Sequence, residues 1–254
     1  MAREARKKSR SGIYHVMLRG INHHTIFEDE EDFQKYLQTL KEYQDKLEYI
    51  IYAYCLMDNH IHLLMKEGSE ELGKIFQTIG ASFVYWYNWK YERRGHLFQG
   101  RYKSEIVEND EYFLTAVRYI HQNPLKAGIA EKIEDYKWSS YSEYIGKPNI
   151  CNTDICLDML STNREKAIEL FKEYNSKDNQ DLCLDYDKGL RLNDSEAREI
   201  IKNIANSNNP SEVMDFDKEK RERVIKSCRK AGLSIRQISR LTGISIGIVR
   251  GVSI

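Results

Sequence analysis

The chain has 254 residues, of which 41% are hydrophobic and 31% charged, enough for one hydrophobic core and a second small one. Lysine plus arginine and aspartate plus glutamate both total 39, so the formal net charge is zero. The longest apolar run, residues 49–57, is less than half of the roughly 20 residues that cross a bilayer. These numbers exclude a transmembrane helix and predict one globular domain with an appendage.

The neutral total hides two basic stretches. Residues 1–20 carry six basic side chains against one acidic one, and residues 218–250 carry ten against two. Residues 151–217 compensate with fifteen acidic against eight basic side chains. A binding partner experiences the electrostatic field of the surface it approaches, not the net charge of the chain. A polyanionic partner is therefore not excluded.

The N-terminus is basic but lacks the apolar core of a secretory signal, so we expect a cytoplasmic protein with no membrane partner. The five cysteines are irregularly spaced and are therefore expected to be reduced thiols. A zinc site at Cys151, Cys156 and Cys183 is disfavoured because no C-x-x-C pair is present and no histidine follows residue 121.

Hydrophobic periodicity in the first half predicts the element order βαββαβα. We expect strands over residues 12–20, 49–57, 60–65 and 97–107, and helices over residues 29–46, 72–91 and 110–123. Pro124 is expected to end the third helix, because proline pushes the preceding residue out of the helical region. This order predicts an α+β fold, a ferredoxin-like (split βαβ) antiparallel sheet with helices on one face.

The second half divides into a connector and a helical end. Residues 147–190 have few apolar residues and one expected helix, near residues 164–174, whereas residues 191–254 are expected to be helical. Residues 237–250 follow a helix-turn-helix pattern, with glycine in the turn at Gly243 and a second helix starting after Ser245. This pattern predicts a DNA-binding domain over 191–254 that uses Ser245 and Arg250. A helical dimerisation or packing module is the alternative.

Two short motifs in the first half carry chemistry. In the sequence His60-Ile61-His62, strand alternation puts both imidazoles on one face, although this pattern alone is weakly specific. Tyr119 and Asn123 are i and i+4 on a helix, so a phenol and an amide project together. Tyr112, seven residues earlier on the same stripe, is the competing tyrosine.

Together these residues resemble the REP-associated tyrosine transposases, a branch of the single-tyrosine HUH transposases, where HUH denotes histidine-hydrophobic-histidine. The resemblance extends over about half the chain. Five segments match in order, namely residues 16–20, 57–64, 95–104, 119–128 and 138–141.

The resemblance implies a catalytic domain over residues 1–146. In it, Tyr119 is the nucleophile, His60 and His62 bind a catalytic divalent metal ion, and Asn123 completes the metal site. Glutamine often occupies the place of Asn123 in compact relatives, and asparagine is one methylene shorter. Two nitrogens and an amide oxygen favour Mn²⁺ on ligand softness, whereas cellular abundance favours Mg²⁺.

The implied function is a metal-dependent endonuclease and strand transferase that acts on single-stranded or hairpin DNA through a 5′-phosphotyrosine. Basic side chains at a strand end and near interleaved aromatic residues are the expected DNA contacts. They are Arg19, Arg93, Arg94, Arg101 and Lys103. The C-terminal domain adds duplex DNA as a second partner, and a homodimer is left open.

Two other functions remain open at this point. One is a non-catalytic DNA-binding regulator that retains the fold, which the intact set of His60, His62 and Tyr119 disfavours. The other is a metallophosphoesterase that uses activated water, which would leave no covalent protein–DNA adduct.

Overall fold

The computed structural model describes residues 7–146, 148–179, 181, 183–184, 194–233 and 235–252. The chain is a mixed α/β protein, and the predicted order of its first seven elements is confirmed. The strands are β1 (Ile13–Arg19), β2 (Ile50–Met57), β3 (His60–Lys66) and β4 (Lys103–Ile106). The helices are α1 (Glu30–Leu47), α2 (Leu72–Lys90), α3 (Asp110–Lys126), α4 (Tyr141–Ile145), α5 (Asp154–Leu160), α6 (Arg164–Ser176), α7 (Asp194–Ala205), α8 (Lys218–Lys230), α9 (Ile235–Thr242) and α10 (Ile246–Gly251).

The four strands form one antiparallel sheet in the order β2-β3-β1-β4. The connection from β1 to β2 runs through α1, and that from β3 to β4 runs through α2. In the central pair, Arg19 lies opposite His60 and Met17 lies opposite His62. The polar ends of β1 and β3 therefore share one face of the sheet.

A close backbone approach fixes the end of this central pair. The N–H of Gly20 donates to the carbonyl of Asn59 at 2.9 Å, and the N–H of Ile26 donates to Asp58. A Cβ at position 20 would lie 2.0 Å from the carbonyl oxygen of His24, so only glycine fits there. The turn before His60 is thus held against the end of β1.

Helices cover both faces of the sheet, so the expectation that they lie on one face is wrong. On one face, Tyr36 of α1 and Phe83 of α2 are buried in a core with Val16. On the other face, Phe113 of α3 is buried in a second core with Cys55, to which α5 and α6 also contribute. The reason lies in β2, whose last seven residues are all buried, so both of its faces need apolar cover.

The third helix does not end before Pro124 as predicted, but continues to Lys126. Proline in the last turn removes a single hydrogen bond, the one to the carbonyl of Ile120, and its ring is buried. The next turn still closes, because the N–H of Ala127 donates to the carbonyl of Asn123 at 3.0 Å. Asn123 therefore lies within the helix, one turn after Tyr119.

The fifth matched segment, residues 138–141, extends hydrogen bonding along the outer edge of β2. The N–H of Leu56 donates to the carbonyl of Trp138 at 2.9 Å, and the N–H of Tyr54 donates to the hydroxyl of Ser140 at 2.9 Å. Trp138 also stacks on Phe33 of α1, with ring centroids 4.5 Å apart. This segment satisfies backbone groups that an edge strand would otherwise expose.

The chain forms two compact units, which divide between Leu184 and Asp185. Residues 148–176 differ from the predicted connector, because Leu157 of α5 and Phe171 of α6 are buried in the same core as α3. The second unit has a core of its own, which includes Ile225 and Leu241. The prediction of a helical C-terminal end is confirmed by α7 to α10.

Candidate active site

His60 and His62 share one face of β3, as strand alternation predicts. Ile61 between them lies in the core that α1 and α2 cover, so the two imidazoles lie on the side of α3. Their ring centroids are 5.2 Å apart. His62 is fully buried and His60 half-buried, so the pair runs from the protein interior towards its surface.

Helix α3 brings Tyr119 to this pair. Asn109 caps the helix by accepting a hydrogen bond from the N–H of Tyr112 at 2.7 Å, and Ile120 anchors it in the core. The ring of Tyr119 lies edge-on to that of His62, with centroids 5.7 Å apart. Tyr119 is 7% exposed, so nearly all of it is buried.

A third histidine completes the group and was missed by sequence reasoning. His15 of β1 is fully buried, and its Nε2 lies 3.0 Å from Nδ1 of His62. Its ring is also edge-on to that of Tyr119, with centroids 5.9 Å apart. Alternation in β1 could have indicated this position, since residues 15, 17 and 19 share a face and Arg19 was already a candidate.

Burial keeps the inner histidines neutral. It lowers the pKa of His15 to about 3. Burial, followed by repulsion from His15 and His60, lowers the pKa of His62 well below its usual value. A neutral imidazole keeps a lone pair that a metal ion can use, so desolvation leaves His62 able to bind a cation at neutral pH.

The donor set fits a divalent metal ion in part. Nε2 of His62 is buried and makes no hydrogen bond within the described part of the chain, and the same holds for the amide nitrogen of Asn123. Gln122, the neighbouring amide, is engaged instead with the carbonyls of Asn175 and Lys177. Within the described ranges, no three His, Cys, Asp or Glu side chains are arranged to hold a metal ion. Of the predicted ligands, the two imidazoles are in ring contact, and Asn123 lies one helical turn after Tyr119.

Tyr112 occupies a different environment from Tyr119. Its hydroxyl donates a short hydrogen bond to Oε2 of Glu105. Burial, together with this carboxylate, raises the pKa of Tyr112. The hydroxyl of Tyr112 is therefore engaged with a carboxylate, whereas the ring of Tyr119 contacts two imidazoles.

Lys126 is a further residue that the motif contained and sequence reasoning did not single out. Its Nζ lies 4.8 Å from the centroid of the Tyr119 ring. It also lies 3.3 Å from the side-chain oxygen of Asn179. A cation beside the phenol stabilises negative charge, whether on the phenolate or on a nearby phosphate.

The predicted DNA contacts of the first unit fall into two groups. Arg19 and Lys103 lie on the histidine face, because Arg19 pairs with His60 and Lys103 pairs with Met17 in the sheet register. The other three lie in the connection between α2 and β4, and they are Arg93, Arg94 and Arg101. This connection is tied to β1, since the N–H of Gln99 donates to the carbonyl of Arg19 at 2.7 Å.

The remaining two predicted contacts lie in the second unit. Ser245 caps α10, because its hydroxyl accepts a hydrogen bond from the N–H of Ile248 at 3.5 Å. Arg250 is exposed near the end of the same helix. Gly243, in the turn before it, has a positive φ of 79°, which an L residue adopts only with strain.

Comparison with known proteins places residues 8–123 in the family model "Transposase IS200 like". A protein of Haemophilus influenzae named as a REP-associated tyrosine transposase is 25% identical over an alignment of 100 residues, which covers 35% of this chain. The match covers 57% of that relative, so the chain spans little more than half the length of the protein it resembles.

A solved structure of a REP-associated tyrosine transposase bound to a REP hairpin has a TM-score of 0.51 to this chain. It is 17% identical and covers 58% of this chain and 87% of its own, so the likeness concerns the fold. The resemblance predicted from the five segments is confirmed. The matched family model and both relatives are named as transposases.

The buried histidines predict how stability depends on pH. Burial lowers the pKa of His121, which is fully buried and bonds to Ser140, to about 3 from 6.5. Between pH 6.5 and pH 3, this imidazole is protonated in the unfolded chain but not in the folded protein. The free energy of unfolding therefore falls as the pH falls. Replacing His121 with Gln should remove about 2–3 kcal/mol of the stability loss between pH 7 and pH 4.5. Urea unfolding of both proteins at the two pH values measures this difference, and equal losses would contradict it.

Proposed function

We propose, from the match of residues 8–123 to the IS200-like transposase family model, that this chain cleaves and rejoins single DNA strands through a covalent bond to Tyr119. The observation that carries the proposal is the contact of Tyr119 with His62 and His15, which three separate elements bring together. A phenol beside neutral imidazoles is a suitable arrangement for attack on a phosphodiester.

The chemistry that the chain performs is a transesterification. The oxygen of Tyr119 forms a bond to the phosphorus of a backbone phosphate, and the bond from phosphorus to the 3′ oxygen breaks. The phenol releases its proton to water and the 3′ oxygen takes one up, which gives a 5′-phosphotyrosine and a free 3′ hydroxyl. The phosphotyrosine retains the bond energy, so the reverse step joins strands without a nucleotide cofactor.

His60, His62 and Asn123 are the residues that would hold the divalent ion, Mg²⁺ or Mn²⁺. The ion, when bound, polarises the scissile phosphate and stabilises developing negative charge. The buried Nε2 of His62 supports this assignment, as does the hydrogen bond that joins Nδ1 of His60 to the side chain of Asn59 at 2.7 Å. That bond fixes the orientation of the outer imidazole.

We propose that the sheet belongs to the ferredoxin-like class. We also propose that the substrate is a DNA hairpin or repeat. The strand order β2-β3-β1-β4 with two crossover helices is that of a split βαβ unit. The structurally similar transposase is bound to a REP hairpin. Arg19 and Lys103 share the histidine face and are suited to contact the phosphates of the cleaved strand.

The second unit is proposed as a reader of duplex DNA. Helices α9 and α10 are separated by three residues that begin with Gly243, as a helix-turn-helix requires. Ile246 and Ile248 are 43% and 46% exposed on α10, beside the exposed Arg250. The alternative, a packing or dimerisation module, would use the same exposed side chains for protein contact.

The location and the oligomeric state of the protein stay predictions. No helix in the described ranges is both long enough and apolar enough to cross a membrane. We propose a cytoplasmic location, where DNA is accessible, and homodimerisation remains open.

The first prediction concerns the nucleophile. Replacing Tyr119 with Phe removes one hydroxyl, so it should abolish cleavage and the covalent adduct while changing hairpin affinity less than about twofold. Incubation with labelled repeat hairpins, followed by denaturing electrophoresis, measures the adduct. Tyr112→Phe is the matched control and should retain it. An adduct that persists in the Tyr119 variant and is lost in the Tyr112 variant would overturn the assignment.

The second prediction concerns the metal ligands. His60→Ala or His62→Ala should reduce Mn²⁺ affinity and metal-dependent cleavage by at least about 100-fold, because each removes one of at most three protein ligands. Asn123→Ala should cost less, since water can replace an amide oxygen. Cleavage that persists in excess chelator would refute the metal role.

The third prediction concerns the second unit. Truncation after Leu184 should leave hairpin cleavage intact but weaken binding to hairpins with duplex flanks. Residues 218–250 supply ten cationic side chains, and each phosphate contact adds roughly 0.9 to the slope of log affinity against log salt. The slope should therefore become shallower. An unchanged slope with a changed sedimentation coefficient would support the packing module.

A further inference from the structure

The contact between His15 and His62 has no role in the chemistry described so far. Both imidazoles are fully buried, and their facing nitrogens, Nε2 of His15 and Nδ1 of His62, lie 3.0 Å apart. Each ring also has one nitrogen that makes no hydrogen bond within the described part of the chain, Nδ1 of His15 and Nε2 of His62. The two neutral rings are therefore joined by a single N–H···N hydrogen bond.

This link has two arrangements. In one, Nδ1–H of His62 donates to His15, and the lone pair of His62 is on Nε2. In the other, Nε2–H of His15 donates to His62, and Nε2 of His62 carries a proton. Each arrangement leaves one N–H and one lone pair without a partner among the described residues. The two arrangements therefore make the same number of hydrogen bonds within the protein, and hydrogen bonding alone does not favour either. Only the first provides a lone pair at Nε2 of His62, and a metal ion needs that lone pair.

We propose that His15 is a positioning residue, which accepts a hydrogen bond from Nδ1–H of His62 and so holds Nε2 of His62 ready for the catalytic divalent ion. The inference rests on the proposed function, because it assigns His62 as a metal ligand. A metal-binding histidine usually donates its second N–H to a carboxylate or carbonyl, and here an imidazole takes that place.

The surroundings support a positioning role over direct ligation by His15. Its Nε2 is engaged with His62, and within the described ranges no three His, Cys, Asp or Glu side chains form a metal-binding group. In the sheet register Glu105 lies opposite His15, but Glu105 accepts the hydrogen bond of Tyr112. His15 therefore faces His62 as its polar partner and Tyr119 as a ring contact.

The test compares His15→Leu with His15→Gln. Leucine fills the space without an acceptor, whereas the side-chain amide of glutamine places an oxygen near the position of Nε2. Mn²⁺ affinity, measured by electron paramagnetic resonance on protein without DNA, should fall about 10- to 100-fold in the leucine variant and recover to within about threefold in the glutamine variant. His121→Leu removes another fully buried histidine and should leave Mn²⁺ affinity unchanged, which controls for loss of stability.

A second measurement does not require any variant to fold. Nitrogen-15 spectra of the histidine rings, recorded on the wild-type protein with Mg²⁺, should show His62 protonated at Nδ1 and His15 unprotonated at Nε2. The opposite tautomers, or a leucine variant that binds Mn²⁺ as tightly as the wild type, would overturn the inference. If His62→Ala also leaves Mn²⁺ affinity unchanged, the proposed metal site itself is wrong, which is a separate outcome.

Discussion

The antiparallel register between β1 and β3 is the constraint on which the candidate site depends. Arg19 opposite His60 and Met17 opposite His62 put the polar residues of both strands on the side that α3 covers. Side chains alternate along a strand, so a shift of one residue would move His15 and Arg19 to the opposite core. The close packing at Gly20 and the hydrogen bond from its N–H to Asn59 hold the register at the end where the site lies.

The helix that covers the histidine face of the sheet sets the protonation state of these side chains. Under α3 the inner histidines lose water, and desolvation keeps them neutral. The same helix places Tyr119 against them because its apolar positions, among them Val117 and Ile120, are buried in the core below. The packing of this amphipathic helix therefore also brings Tyr119 into contact with the histidines.

The partners of each side chain also distinguish residues of the same type. Tyr112 and Tyr119 lie on one helix, yet Tyr112 is hydrogen-bonded to a carboxylate and Tyr119 contacts two imidazoles and the ammonium of Lys126. His121 lies two residues from Tyr119 but packs against Tyr144 and Phe171, with its Nε2 on a serine hydroxyl. His121 therefore packs in the core and takes no part in the proposed chemistry.

Sequence periodicity was enough to predict the order of the elements in the first half and the placement of His60 and His62 on one face, because periods of 2 and 3.6 residues are local properties of strands and helices. The sequence motifs also indicated the family resemblance, and only such a resemblance separated Tyr119 from sixteen other tyrosines. Three features became visible only in the folded chain: helices cover both faces, α3 continues past Pro124, and residues 148–176 belong to the first unit. The contact between His15 and His62 is a fourth. These outcomes depend on pairing between residues far apart in the chain, and local periodicity carries no information about which distant surfaces meet.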